Sequence, residues 1–252
     1  QHHSLAWTML HNAIIGPETI HHPYFAAFMN GFYLPCGVLG PNLSEISQRF
    51  CGGPSEFVTT LLQTRITGDY TMLRIDYKSK ISDSMQVALQ EALQTTFPSL
   101  ADKGFPAIFR AFLEGPGLPP SLSLQELQDK FAETVPVDGV NRKGYRMRMF
   151  CWASTGVPHI LLDGSAIEVS LVADNDPQYY RVFDDPHGEE AMPFVNNGTC
   201  CFKTCVRSML IPASYFLRLL QAPSNNPQMI MDSISSWLLL EILNGIGNYN
   251  IM

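Results

Sequence analysis

The sequence predicts an α+β domain on three observations. Helical periodicity dominates residues 1–135, the period shifts toward two from Tyr145 onward, and 46% of the chain is hydrophobic, enough to bury a substantial core. The expected organisation over 252 residues is one domain. A mainly helical part at 1–135, with an insertion at about 82–135, precedes a sheet part at 136–252 that closes in helices.

The first expected element is a helix over residues 4–15, which sets Leu5, Met9 and either Asn12 or Ala13 on successive turns. Ser4 is its N-cap and Gly16-Pro17 its stop. Helices follow at 43–50 and 54–64, the second opened by Pro54 in its first turn, and residues 69–77 alternate like a strand. Segments 82–96 and 123–135 are amphipathic and start on Ser82 and Ser123, while Gly115-Pro116-Gly117 and Pro119-Pro120 mark the loop between helical pieces. Four strands are then expected at 145–152, 159–162, 166–172 and 179–183, with Asn175-Asp176-Pro177 turning the last pair. A mostly antiparallel sheet is the economical arrangement of these strands. Helices at 212–221 and 228–243 end the chain, the second carrying Ile230, Ile234, Trp237, Leu238 and Leu240 as a packing face.

Composition excludes several functions. Only 15% of residues are charged, the net charge is -7, and no block of Lys or Arg offers itself to a phosphate backbone, so nucleic acid is not expected as a partner. No stretch reaches the roughly 18 apolar residues of a membrane-spanning helix. The start Gln1-His2-His3 lacks the basic-then-apolar form of a signal peptide. The expectation is a soluble chain, cytoplasmic rather than secreted, and a mature form or fragment. Cys200, Cys201 and Cys205 lack a fourth zinc ligand, and neighbours on a strand face opposite ways. Gly52-Gly53-Pro54 lacks the lysine of a phosphate loop. Neither a metal nor another cofactor is expected.

The chemical signal lies at two places. Val182-Phe183-Asp184-Asp185-Pro186-His187-Gly188 puts Asp185 and His187 two apart at a strand end, where alternate side chains project to one side. The segment 166–187, a hydrophobic strand, a polar turn, an aromatic strand and then Asp-Pro-His, resembles the corresponding region of autophagy cysteine peptidases and UFM-specific peptidases. Those enzymes cleave after the C-terminal glycine of ubiquitin-like modifiers. Gln1-His2-His3-Ser4-Leu5-Ala6-Trp7 in turn resembles the papain-like pattern of a glutamine shortly before a Cys-Trp pair at a helix N-terminus. Ala6 stands in the cysteine's place.

The resemblance implies a papain-like fold and a site made of position 6 as nucleophile, His187 as base, Asp185 as the acid that orients it, and Gln1 as oxyanion donor. A helix N-terminus lowers a thiol pKa, an imidazole holds the thiolate, and an amide stabilises the oxyanion. It also implies an engineered Cys-to-Ala replacement at position 6 and a protein substrate, ubiquitin or a ubiquitin-like protein among the candidates. His159, in Gly156-Val157-Pro158-His159-Ile160, is the alternative base, paired with Asp184 or Asp185. Cys36 is a lesser candidate nucleophile, in a Pro/Gly-rich loop on which no helix starts. The same centre would also serve deamidation or acyl transfer, and a non-catalytic protein-binding module is the reading from another class.

Overall fold

The computed structural model describes residues 66, 68–131, 140–141, 143–160, 164–174, 176, 197–224 and 226–246. The chain divides into two compact units, 1–65 and 66–252, and every described residue belongs to the second. The helices expected at 4–15, 43–50 and 54–64 and the strand expected at 179–183 lie outside the described residues.

The first strand starts later than its alternation suggests. Asp69 accepts the Thr71 amide at 3.0 Å and its hydroxyl at 2.8 Å, folding Tyr70–Met72 into a 3-10 turn, and β1 then runs over Ile75–Lys80. Helix α1 (Asp83–Thr96) opens on Ser82, whose hydroxyl accepts the Met85 amide at 3.3 Å. It buries Leu89, Ala92, Leu93 and Thr96, one stripe at helical spacing. Helix α2 (Gly104–Glu114) fills part of the gap between the two amphipathic segments, and buries Phe105, Ile108, Phe109, Phe112 and Leu113.

Helix α3 (Leu124–Phe131) begins in a reciprocal capping box. The Ser123 hydroxyl accepts the Glu126 amide at 3.1 Å, and the Glu126 carboxylate accepts the Ser123 amide at 3.0 Å. Ser123→Ala is expected to cost about 1 kcal/mol in urea denaturation, with no change of slope. A loss under a few tenths would mean that the box contributes nothing.

Residues 145–152 correct the strand expectation. Helix α4 (Tyr145–Thr155) occupies them, between Gly144 at φ 80 and Gly156 at φ 81, and the Gly156 amide bonds Trp152 O. The apparent alternation comes from Arg146 and Arg148 among apolar residues. Arg146 is itself buried, so the helix is enclosed on most sides, and such a helix loses its polar stripe. The 159–162 strand is also not seen where it is described: His159 and Ile160 lie in the loop after α4, and 161–163 fall outside the described residues.

Strand β2 (Ile167–Val172) follows, close to its expected bounds, and then β3 (Cys201–Lys203) and β4 (Ser208–Pro212). The sheet has the order β1-β2-β4-β3. β1 pairs parallel with β2, Ile75 opposite Ile167, and β2 parallel with β4, Glu168 opposite Ser208; β3 alone runs antiparallel, to β4. The expectation of a mostly antiparallel sheet is therefore corrected among the described residues. Long helical crossovers separate β1 from β2, which suits parallel pairing, whereas only the tight link through Arg207 at φ 54 joins β3 to β4. Strand β1 also draws the expected helical part into the same sheet as the later strands.

Helices α5 (Ala213–Leu220) and α6 (Pro227–Gly245) complete the described elements, six helices and four strands, and α6 opens with Asn226 accepting the Gln228 amide at 3.0 Å. No helix among the described residues is long and apolar enough to cross a membrane. One sheet face, with Tyr77, Ile167, Val169, Leu171, Met209, Ile211 and Phe202, joins the helical side chains in a single core. Asp76, Lys78, Lys80, Glu168 and Ser170 alternate onto the other face. There Lys80 Nζ lies 3.2 Å from Glu168 Oε1, and Ser170 donates to the same oxygen at 2.8 Å.

Candidate functional site

Of the residues assigned roles from the sequence, His159 alone is described; Gln1, Ala6, Asp184, Asp185 and His187 lie outside the described residues, as does Cys36. The loop that carries His159 is set by the end of α4. Gly156 in the left-handed conformation stops the helix, the Thr155 hydroxyl accepts the Val157 amide at 3.3 Å, and the chain bends through Pro158 into His159.

His159 borders a pocket of about 210 Å³ at the starts of β1 and β2. Leu73, Cys151, Ile160 and Ile167 supply apolar wall, and Arg74 and Ser165 supply polar atoms. Arg74 Nη1 donates to Gly164 O at 2.7 Å, and the Arg207 guanidinium bonds the Ser165 hydroxyl. The imidazole is exposed at its edge, yet desolvation by the surrounding protein, helped by the positive charge of Arg148, moves its pKa below the ordinary histidine value. The shift favours the neutral imidazole, the form able to accept a proton.

Cys151 shares the pocket but is a poor nucleophile. It sits in the second half of α4, away from the positive helix end, and burial pushes its thiol up to about 12. Cys200 is further from reactivity: burial first, then Glu241 and Cys201, raise its thiol well above the usual range. Among the described residues no group of three or more His, Cys, Asp or Glu is arranged to hold a metal ion.

A second polar cluster joins α6 to the start of β3. Glu241 Oε2 accepts the Cys200 amide at 2.8 Å, and Trp237 Nε1 donates to Gly198 O at 2.7 Å. Burial raises the Glu241 pKa, against the lowering influence of the Cys200 amide, Asn244 and Lys130. A carboxyl raised in the folded state favours folding when protonated, so its contribution is greatest at acid pH and declines as pH climbs from the unfolded value through the folded one. Glu241→Gln keeps a carbonyl acceptor for the Cys200 amide. It is expected to raise the melting temperature at pH 7 and to leave it unchanged near pH 3; a variant less stable than the parent at pH 7 would show that the charge is stabilising.

The pocket residues other than His159 gave little sequence signal. Cys151 is hidden in the run Met149-Phe150-Cys151-Trp152, and Arg74 precedes a strand on which it makes no periodic mark. Comparison of the chain with family models, with curated proteins and with solved structures finds no match.

Proposed function

We propose that this chain is a cysteine hydrolase of papain-like type acting on protein C-terminal tails, in a form that lacks its nucleophile. One observation carries the reading: Gln1 and the Ala6-Trp7 pair, in a segment whose sequence predicts a helix from Ser4, are followed, in the order a catalytic centre of this type needs, by Asp185-Pro186-His187. The hydrophobic strand that the motif requires upstream coincides with β2, which lends the segment support. In the active form a thiolate at position 6 attacks the scissile carbonyl, and His187, held by Asp185, takes and returns the proton. Gln1 and a backbone amide near position 6 stabilise the oxyanion, and water resolves the acyl-enzyme. The accessible neutral imidazole of His159 keeps a second base in view.

The test restores the thiol. The Ala6→Cys protein is treated with ubiquitin-like proteins that carry a thiol-reactive group at the C-terminus, and labelling at position 6 is read by mass. The expected result is labelling that slows about 100-fold or more in the added presence of His187→Ala. Loss with His159→Ala instead moves the base to His159. If position 6 reacts neither with these proteins nor with iodoacetamide faster than a free thiol does, the hydrolase reading fails and a non-catalytic binding module takes its place.

A further inference from the structure

We propose that the outer edge of β1 pairs with the same edge of a second copy of this chain, antiparallel about Tyr77. Strand β1 stands at one end of the order β1-β2-β4-β3. Ile167 N donates to Arg74 O at 2.8 Å and Ala173 N to Lys80 O at 3.2 Å, and in a parallel ladder residues of that parity turn their main chain toward β2. Ile75, Tyr77 and Ser79 therefore aim their N–H and C=O groups outward, where no described residue bonds them. Such an open row of donors and acceptors is a template for another strand.

The side chains of the edge select the occupant and the register. With Tyr77 opposite Tyr77 across a two-fold axis, Asp76 of each copy faces Lys78 of the other, at the positions of an antiparallel pair where side chains approach most closely. Both residues are exposed, and among the described residues neither makes a hydrogen bond or an ion pair. A slip of two residues in either direction sets Asp76 against Asp76 or Lys78 against Lys78, which like charges oppose. Arg74 and Lys80 fall opposite each other at the strand ends, where Glu168 at 3.2 Å already neutralises Lys80 and Arg74 is turned to Gly164 O at 2.7 Å. On the core face the same register seats the half-buried Ile75 of one copy beside Ser79 of the other. Ser79 is the small member of the row Ile75, Tyr77, Ser79 and Ile81, and beside it lies a recess of about 260 Å³ lined by Leu89, Leu93, Phe105, Leu171 and Phe216. Each isoleucine thus brings an apolar side chain toward the other copy's recess. Main-chain bonds, charge and shape agree on one register. This inference does not rest on the hydrolase reading.

The test follows the full chain by sedimentation velocity from about 1 to about 100 μM, and a dimer with a Kd on the order of 10 μM is expected. Amide exchange read by NMR should show Tyr77 and Ser79 slowing as concentration rises, while Asp76 and Lys78, bonded to β2, stay slow throughout. Asp76→Lys and Lys78→Asp are each expected to weaken self-association about 10-fold, because each sets like charges across both pairs. Mixing the two variants restores opposite charges at both pairs, so a heterodimer close to the parent in affinity is expected. A variant that merely folds poorly cannot be rescued in this way. A chain that stays monomeric over the whole range overturns the pairing and makes Lys78 a guard of the edge. A dimer whose Tyr77 and Ser79 amides remain fast, or variants that the mixture does not rescue, overturn it as well.

Discussion

Phe109→Ala is expected to destabilise the chain by about 4 kcal/mol. Phe109 has no exposed surface, and its ring lies 5.6 Å from Phe105, 5.9 Å from Phe112, 5.3 Å from Phe150 and 6.2 Å from Tyr77, measured between centroids. One side chain thus ties α2 to α4 and to β1. Truncation to alanine removes the transfer free energy of the ring and leaves a void whose walls, being aromatic and drawn from three elements, collapse poorly. The edge-on contacts with Phe150 and Tyr77, at interplanar angles of 76° and 79°, add a geometric preference that a smaller apolar group cannot reproduce. The melting temperature should fall by about 10 °C, and Phe109→Leu should recover part of the loss. If Phe109→Ala loses less than about 1 kcal/mol, the site relaxes freely and the aromatic cluster is not the keystone of the core.

That cluster also shows where sequence reasoning succeeds and where it stops. Helices α1 and α3 announce themselves because each carries a polar face and a start signal, Ser82 and Ser123, while α5 and α6 show through their helical periodicity alone. Strand β2 reads directly from its alternation, Ile167, Val169 and Leu171 against Glu168 and Ser170. Helix α4 defeats periodicity because it is buried almost all round, so its arginines mimic the alternation of a strand. Pairing direction is illegible for another reason. Whether β1 meets β2 parallel depends on a crossover of several helices, and no local residue encodes that. The site splits in the same way. A motif proposes His187 and Asp185, which lie outside the described residues, whereas the pocket around His159 is assembled from Leu73, Cys151, Ser165 and Ile167, residues far apart in sequence that only the fold brings together.

Arg146→Met is expected to cost about 3 kcal/mol, even though it trades a buried charge for an apolar side chain of similar length. Such a trade is often neutral when both members of a polar pair are replaced together. Here the partners are backbone carbonyls that mutation cannot remove. Arg146 is 5% exposed; its Nη1 donates to Phe112 O at 3.0 Å and its Nε to Gly117 O at 3.1 Å, closing the C-terminus of α2 from outside. Its guanidinium also lies 5.3 Å from the centroid of the Phe112 ring. Burial lowers the guanidinium pKa, an effect that the charge of Asp232 opposes, but arginine has no neutral form to retreat to within the accessible pH range. The charge is therefore tolerated for the sake of the carbonyls it satisfies: with methionine Phe112 O keeps only the Gly115 amide, at 3.1 Å, and the half-buried Gly117 O loses the guanidinium. Arg146→Lys discriminates this account from simple packing. A single ammonium cannot span both carbonyls in the arginine's planar geometry, so lysine should lose nearly as much as methionine in urea denaturation. If methionine matches the parent, α2 needs no external cap, and the burial of Arg146 would be incidental to the fold.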